Sequence, residues 1–328
     1  MAEGEFDLIA RLVERLGSEG PNLRVGSGDD AAVTDPGGRA TASTVDAVVE
    51  GVHFTLPEFP LAAVGRKALA AALSDLAAMG ADPGEAYVVL AAPERFGTDE
   101  LLEIGDGVGE VAEREGIAIA GGDVSRAPAL TLAVTCVGYE PEGSSFVTRA
   151  GARAGDAVVL TGELGGAAAA LSILTGGGIR SGESGALLRR QLDPVPRLAA
   201  GRALAVAGAT AMIDVSDGLG ADAGHLARAS GVALEIELEL VPAAAGLDAG
   251  VSEARQMLVS GGEDFELLAT VRPERLGEAA AAVAATGTRL TRIGQVAAGE
   301  GAAIRDKEGR EVEASGFDHM RGSRAGSG

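Results

Sequence analysis

Mixed α and β structure in two domains is what this sequence predicts, and three observations carry that expectation. Apolar residues recur at helical spacing in some stretches and in short alternating or continuous runs in others. The segment Glu140-Pro141-Glu142-Gly143 follows a strand-like run and breaks the chain near residues 140 to 150. With 328 residues and 46% hydrophobic content, there is apolar side chain enough for two cores of ordinary size. The expected division is residues 1–143 and 144–320, followed by a Gly- and Ser-rich tail, 321–328, expected to be disordered.

In the first domain, Phe6 to Leu16 has the amphipathic spacing of a helix. Strands are expected around Asp30 to Thr34 and Arg39 to Val45, joined by the turn Asp35-Pro36-Gly37-Gly38. An Ala-rich stretch predicts a long helix over about Leu61 to Met79, then a strand near Ala86 to Leu90, a helix near Asp99 to Glu115, and strands around Ile117 and Leu130. The second domain opens with a strand at Ala157 to Thr161 that runs through Gly162-Glu163-Leu164-Gly165-Gly166 into a helix of Ala and Leu. Helices near Arg197 to Val206 and Leu219 to Ala229 follow, with strands near Ala211 to Asp214, Val232 to Leu238, Phe265 to Val271 and Arg289 to Val296.

Charge excludes several functions. With 48 acidic against 27 basic side chains the net charge is −21, so no nucleic acid and no anionic membrane surface is expected as a partner, since both need clustered Lys and Arg. Lys67 and Lys307 are the only lysines, which makes metal ions the better counter-charge for any bound phosphate. Cys136, the single cysteine, lies in the alternating apolar run Leu130 to Val137 and reads as a buried strand residue; no disulfide within the chain is possible. The residues from Met1 to Leu16 mix acids and Arg with apolar positions, unlike a secretory signal, and no apolar run reaches membrane-spanning length. A cytoplasmic location is the expectation.

The informative pattern is a series of aspartates in small-residue surroundings at the ends of predicted strands. They are Asp29 and Asp30 after Gly28, Asp46 after Ser43-Thr44-Val45, Asp75 in Leu73-Ser74-Asp75-Leu76, Asp123 after Gly121-Gly122, and Asp214 and Asp217 in Ile213-Asp214-Val215-Ser216-Asp217-Gly218. An isolated Asp beside Gly is ordinarily a turn or cap residue. Asp75 resists that reading, because its helical neighbours Ala70, Ala71, Ala72, Leu73, Leu76, Ala77 and Ala78 are apolar and its carboxylate is expected to be partly buried. A buried carboxylate without a partner costs several kcal/mol, and the nearby cations Arg66 and Lys67 lie two turns back. A metal is the better partner.

Mg²⁺ takes one or two carboxylates together with phosphate oxygens and water, so several such ions on one polyphosphate would use scattered aspartates of this kind. Asp214 to Gly218 is not a calcium loop, since its Gly falls one place early and His225 stands where the bidentate Glu should be. There is no G-x-x-x-x-G-K-[ST] and no protein-kinase motif set. Gly162 to Gly166 could cradle a phosphate at a helix N-terminus, and a packing turn is the stronger reading.

Together these segments resemble the thiamine-monophosphate kinase family, in the superfamily of aminoimidazole ribonucleotide synthetase and selenophosphate synthetase. The resemblance runs nearly end to end, from Gly4-Glu5-Phe6 through Gly28-Asp29-Asp30, Asp46 with Gly51-Val52-His53-Phe54, Leu73 to Ala81, Gly121-Gly122-Asp123 and Thr148-Arg149. It continues through Ile213 to Leu219, Ser260-Gly261-Gly262-Glu263-Asp264-Phe265-Glu266-Leu267 and Gly316-Phe317-Asp318-His319. It implies a two-domain aminoimidazole ribonucleotide synthetase-like fold, a homodimer whose N-terminal sheets join into a barrel, and phosphorylation of thiamine phosphate by ATP with several Mg²⁺ ions. By resemblance, Asp30, Thr44, Asp46, Asp75, Asp123, Asp214 and Asp217 would bind Mg²⁺. Gly122, Asp123, Arg149 and Ser216 would hold ATP, and His53, Glu263 and Phe317 would contact thiamine phosphate. Val45 departs from the family, which often carries a hydroxyl there.

Taken without the resemblance, several of these residues have ordinary readings. His53 could be a packed or solvent-facing histidine, either acid of Glu263-Asp264 could cap a turn, Phe317 could plug the core, and Arg149 could pair with surface acids such as Glu142. The expected chemistry is direct transfer of the γ-phosphate to the acceptor phosphate, with no residue acting as acid, base or nucleophile. Another ATP-using enzyme of the same superfamily with a different acceptor is the alternative, and a non-catalytic nucleotide- or metal-binding protein is the rival from another class.

Overall fold

A computed structural model describes residues 23–25, 29–35, 37–176, 184–247, 251–314 and 316. The expected helix at Phe6 to Leu16, the tail after residue 320 and Phe317 lie outside the described residues. Among those described, the first sheet is built from β1 (Leu23–Val25), β2 (Ala32–Thr34), β3 (Thr41–Val49), β4 (Asp82–Ala92), β5 (Ala118–Arg126) and β6 (Thr131–Tyr139) in the order β1-β2-β3-β6-β4-β5. Only β4 and β5 pair in parallel, joined by the crossover helix α2 (Thr98–Glu115) as a parallel connection requires. α1 (Leu61–Ala78) lies between β3 and β4 in the chain and packs on β3 and β6.

The second sheet holds β7 (Ala157–Thr161), β8 (Ala209–Val215), β9 (Ala233–Glu237), β10 (Glu266–Val271), β11 (Leu290–Ala297) and β12 (Gly301–Arg305) in the order β12-β9-β11-β7-β10-β8. Its helices are α3 (Gly166–Leu174), α4 (Ser184–Leu192), α5 (Leu198–Ala207), α6 (Leu219–Ser230), α7 (Ser252–Ser260) and α8 (Leu276–Ala284). β7 and β10 are buried at every position, which fits their continuous apolar runs and a sheet covered on both faces. α4, α7, α8 and β12 were not expected. The three helices span nine residues each, too few turns for a periodic apolar stripe to stand out.

α1 is the central layer. One core joins its Leu69, Leu73 and Leu76 to Val134 of the first sheet and to Met212 and Leu267 of the second, so the helix is enclosed on both sides. Its Ala-rich, all-round apolar sequence follows from that placement. Small residues also bring neighbouring backbones to it. A Cβ on Gly107 of α2 would fall 1.9 Å from the Ala62 carbonyl oxygen, and one on Gly201 of α5 would fall 2.0 Å from that of Ala77. A second core lies beyond the second sheet, where Leu219, Leu226 and Val259 pack on Ile213 and Leu234.

Replacing Gly107 or Gly201 with Ala pushes α2 or α5 off α1, and each change is expected to lower stability by about 1–3 kcal/mol, the range for overpacking. Urea denaturation of the two variants measures it; a loss under about 0.5 kcal/mol in both would mean that the helices give way freely.

Candidate active site

Asp30 just before β2, Asp75 in the last turn of α1 and Asp214 near the end of β8 converge although they are far apart in sequence. Each offers a carboxylate oxygen, and these oxygens lie within 4.8 Å of one another. Asp30 and Asp214 are buried and Asp75 is partly buried, as its helical setting predicts. Burial first, and then the charges of Asp214, Asp30 and Asp46, push the Asp75 carboxyl well above the usual range, against a hydrogen bond from Thr44. Burial and Asp30 push Asp214 up to about 8, opposed by Ser74 and Arg149. Asp29 is raised to about 6 by burial and by Asp30.

Among the described residues, Arg149 is the cation that reaches this cluster directly. Arg149 donates from Nε to Asp30 Oδ2 at 2.8 Å and from Nη2 to Asp30 Oδ1 at 2.9 Å, and its backbone N–H donates to Asp29 Oδ2 at 3.1 Å. Arg149 therefore pairs with a site acid and not with Glu142. Burial opposes its charge, but Asp30 more than offsets this and raises the guanidinium above its ordinary value. Arg66 donates to Glu110 and to the Leu192 carbonyl, and Lys67 pairs with Glu263, so neither serves Asp75. A buried set of hard carboxylate oxygen donors fits a divalent cation such as Mg²⁺.

Hydroxyl groups orient the acids. Thr44 Oγ1 donates to Asp75 Oδ2, and the buried Ser74 Oγ donates to Asp214 Oδ2 at 2.6 Å. Ser74 was not singled out by sequence, although a hydroxyl inside an otherwise apolar helix was a usable signal. Asp46 shares the helix-covered face of β3 with Thr44, and its Oδ1 accepts the Ala47 N–H at 2.9 Å. Val45 points to the opposite face and is 69% exposed, so a hydroxyl at that position would also face away from Asp75.

Gly122 and Asp123 lie elsewhere in the chain. They sit inside the edge strand β5 and not at a strand end, exposed like the rest of it. Gly122 pairs with Val88, Val88 with Val134 and Val134 with Asp46, which places it three strand spacings, about 14 Å, from β3. Asp123 pairs with Val89, on the opposite pleat from Asp46. The fold brings Asp30, Asp75 and Asp214 together, with Thr44, Asp46 and Arg149 beside them, and does not bring Asp123 into that group.

Ser216 and Asp217 follow β8 in a loop shaped by Asp222, which sequence reading overlooked. One oxygen of this buried acid accepts the backbone N–H groups of Ser216, Asp217 and Gly218, each at 3.1 Å. Burial and the charges of Asp217 and Asp214 push its carboxyl well up. An Asp in the first turn of α6 was visible in the sequence; its reach back over three N–H groups was not.

The acids at 263–266 have separate partners. Asp264 accepts from the Gly165 N–H at 2.6 Å and the Ala167 N–H at 2.9 Å, so its carboxylate occupies the start of α3. That makes Gly162 to Gly166 a packing turn. Glu266 is wholly buried and held by Arg197, Arg190 and Thr161. Glu263 instead pairs with Lys67 at 2.6 Å and accepts from Gln191 Nε2 at 2.7 Å. Glu263 and Phe265 adopt left-handed backbone, φ 67° and 49°, at a cost of about 1 kcal/mol each. His53 accepts the Val49 N–H at Nδ1, 3.0 Å, and its carbonyl accepts from Lys67.

The sequence matches the family models described as AIR synthase related protein, N-terminal domain, over residues 28–139, and AIR synthase related protein, C-terminal domain, over residues 153–307. Those two matched halves define the class. Proteins named thiamine-monophosphate kinase are 38% identical in Escherichia coli K12, over 98% of this chain and 99% of that one, and 34% identical in Bacillus subtilis 168, over 97% and 99%. A solved structure described as AaThiL complexed with AMPPCP and TMP superposes with TM-score 0.84 at 33% identity, covering 96% of this chain and 97% of the other. The thiamine-monophosphate kinase of Stenotrophomonas maltophilia K279a gives 0.76 at 35% identity, covering 95% and 99%. The chain belongs to the thiamine-monophosphate kinase family of the AIR synthase related proteins.

The raised carboxyls give the site a definite pH response. A folded-state value of about 8 for Asp214, against 3.8 ordinarily, means that the folded chain retains a proton that the unfolded chain releases. Stability in chelator is therefore highest below the ordinary value and falls as pH rises through the interval up to about 8. Asp214→Asn removes that repulsion, so at pH 8 in EDTA the variant is expected to melt higher than the parent, by about 2 °C or more. Adding Mg²⁺ should raise the Tm of the parent and leave the variant nearly unchanged. Calorimetry decides; a variant that melts lower in chelator and still responds to Mg²⁺ would remove Asp214 from the cation site.

Proposed function

We propose that this chain transfers the γ-phosphoryl group of ATP to thiamine phosphate, giving thiamine diphosphate, with Mg²⁺ ions held around Asp30, Asp75 and Asp214. The observation that carries the reading is the convergence of those three carboxylates, from separate elements, beside Arg149. Family membership supports it, as does a neighbour that binds AMPPCP and TMP. Bound there, Mg²⁺ supplies the positive charge that lets two anionic phosphates approach.

The chain's own groups do the rest. Thr44 and Ser74 hold the carboxylates in place, Arg149 anchors Asp30 and faces the nucleotide, and Ser216 presents its hydroxyl from the loop fixed by Asp222. Thr44, Asp46 and Asp217 are assigned to the proposed metal set with Asp30, Asp75 and Asp214, and His53, Glu263 and Phe317 to the acceptor. Gly122 and Asp123 are kept as ATP and metal contacts on the strength of their motif. Because His53 Nδ1 accepts a backbone N–H, the neutral ring carries its proton on Nε2, which is then a donor and not a base. An acceptor phosphate needs no base, since its second pKa is about 6. Cys136 is no nucleophile: burial, with Asp75 and Asp46, pushes its thiol up to about 12.

We also propose a homodimer formed through the first sheet. Its uncovered face carries Val45, Tyr87 and Val89, 69%, 42% and 39% exposed, and β5 is an exposed edge, an arrangement that favours a second copy. A cytoplasmic site of action fits the substrates; no helix among the described residues is long and apolar enough to cross a membrane.

ADP release coupled to thiamine phosphate tests the activity. It should stop in excess EDTA, return with Mg²⁺, and run at least about 100-fold slower in kcat/KM with unphosphorylated thiamine, whose alcohol would need a base. Comparable rates with thiamine would show that a base exists and that the acceptor-phosphate mechanism is wrong. For the dimer, light scattering should give twice the chain mass, and Val89→Asp should yield monomers; a monomeric parent at micromolar concentration would end that proposal.

A further inference from the structure

Lys67 lies on α1 with its side chain 1% exposed. An ammonium has three donors. Three acceptors surround it: the His53 carbonyl oxygen at 2.7 Å, Gln191 Oε1 at 3.0 Å and Glu263 Oε1 at 2.6 Å. Gln191 closes the ring by donating from Nε2 to Glu263 Oε2 at 2.7 Å, and the Phe59 ring centroid lies 5.2 Å from the ammonium nitrogen. With its donors engaged by protein, Lys67 has none left for a phosphate. Glu263 remains 27% exposed, and each of its oxygens has capacity to accept a further hydrogen bond.

The three acceptors come from the turn after β3, from α4 and from the loop before β10. Two helical turns along α1, Ser74 binds Asp214 of the metal cluster. Lys67 and Ser74 are seven residues apart, so they share one face and stand about 10.5 Å apart along the helix. α1 thereby spaces Glu263 from the acidic cluster.

We propose that Lys67 is the positioning residue of the acceptor side, clasping the His53 turn and the Glu263 carboxylate at a set distance from the metal-binding acids. This rests on the reading that His53 and Glu263 meet thiamine phosphate. A buried ion pair is by itself poor evidence for stability, since an apolar pair of similar volume often serves as well. What an apolar pair could not do is hold a carboxylate with one face open to the acceptor.

Steady-state kinetics of Lys67→Met, Glu263→Gln and the double variant test the proposal. Lys67→Met is expected to raise KM for thiamine phosphate about tenfold and leave KM for ATP within about twofold, and the double variant should be within about twofold of the worse single variant. Equal rises in both KM values, or effects that multiply in the double variant, overturn it. If Lys67→Met does not fold, Gln191→Leu opens the same ring from α4 and must show the same split; an unchanged KM for thiamine phosphate there overturns the proposal. A parent inactive on thiamine phosphate would defeat the proposed function instead. The clasp is then judged by hydrogen exchange, where faster exchange at 51–54 and 261–265 in Lys67→Met or Gln191→Leu, with α2 unchanged, upholds it and unchanged exchange in these segments overturns it.

Discussion

α1 has to be narrow and apolar on nearly every side because it fills the space between two sheets. Alanine and glycine let α2 and α5 approach to backbone contact, and the leucines reach into the core on both sides. A helix so enclosed has room for few polar groups, and those it carries need partners. Lys67 finds three, Ser74 finds Asp214, and Asp75 finds Thr44 and a place among like charges. The apolar helix thus delivers its polar groups to two points of the site at a spacing set by its own rise.

Electrostatics at the two points differ in kind. Around Asp30, Asp75 and Asp214, negative charge exceeds the positive charge of Arg149, and burial together with like charge makes Asp75 and Asp214 hold protons more tightly. This is the behaviour expected of the proposed cation site. Around Glu263, charge is matched one to one by Lys67, with Gln191 engaging the second oxygen. Such a carboxylate is oriented, and its partial exposure suits a donor or a cationic ring. The neighbouring Asp264 and Glu266 stabilise the fold, the first by closing a helix start and the second, itself buried, by pairing with Arg190 and Arg197. Three acids within four residues diverge because two residues of left-handed backbone, Glu263 and Phe265, turn the chain between them.

The sequence by itself determined the long elements and the chemical type of the site. Eighteen residues of α1 and the continuous runs of β7 and β10 announce themselves through hydrophobic pattern, because burial on all sides leaves no polar stripe. Asp75 was legible for the same reason: a charge in that helix demands a partner. Tertiary structure alone decided which acids meet. Asp30, Asp75 and Asp214 stand 45 and 139 residues apart, and no local rule relates them. Only the three-dimensional arrangement could assign Asp264 and Glu266 to packing, turn Val45 away from Asp75, place Asp123 on a distant strand and give Lys67 to Glu263. Hydrophobic period records how far a residue is buried; hydrogen bonds and charge pairs depend on where other segments arrive, and that is settled only when the layers close around α1.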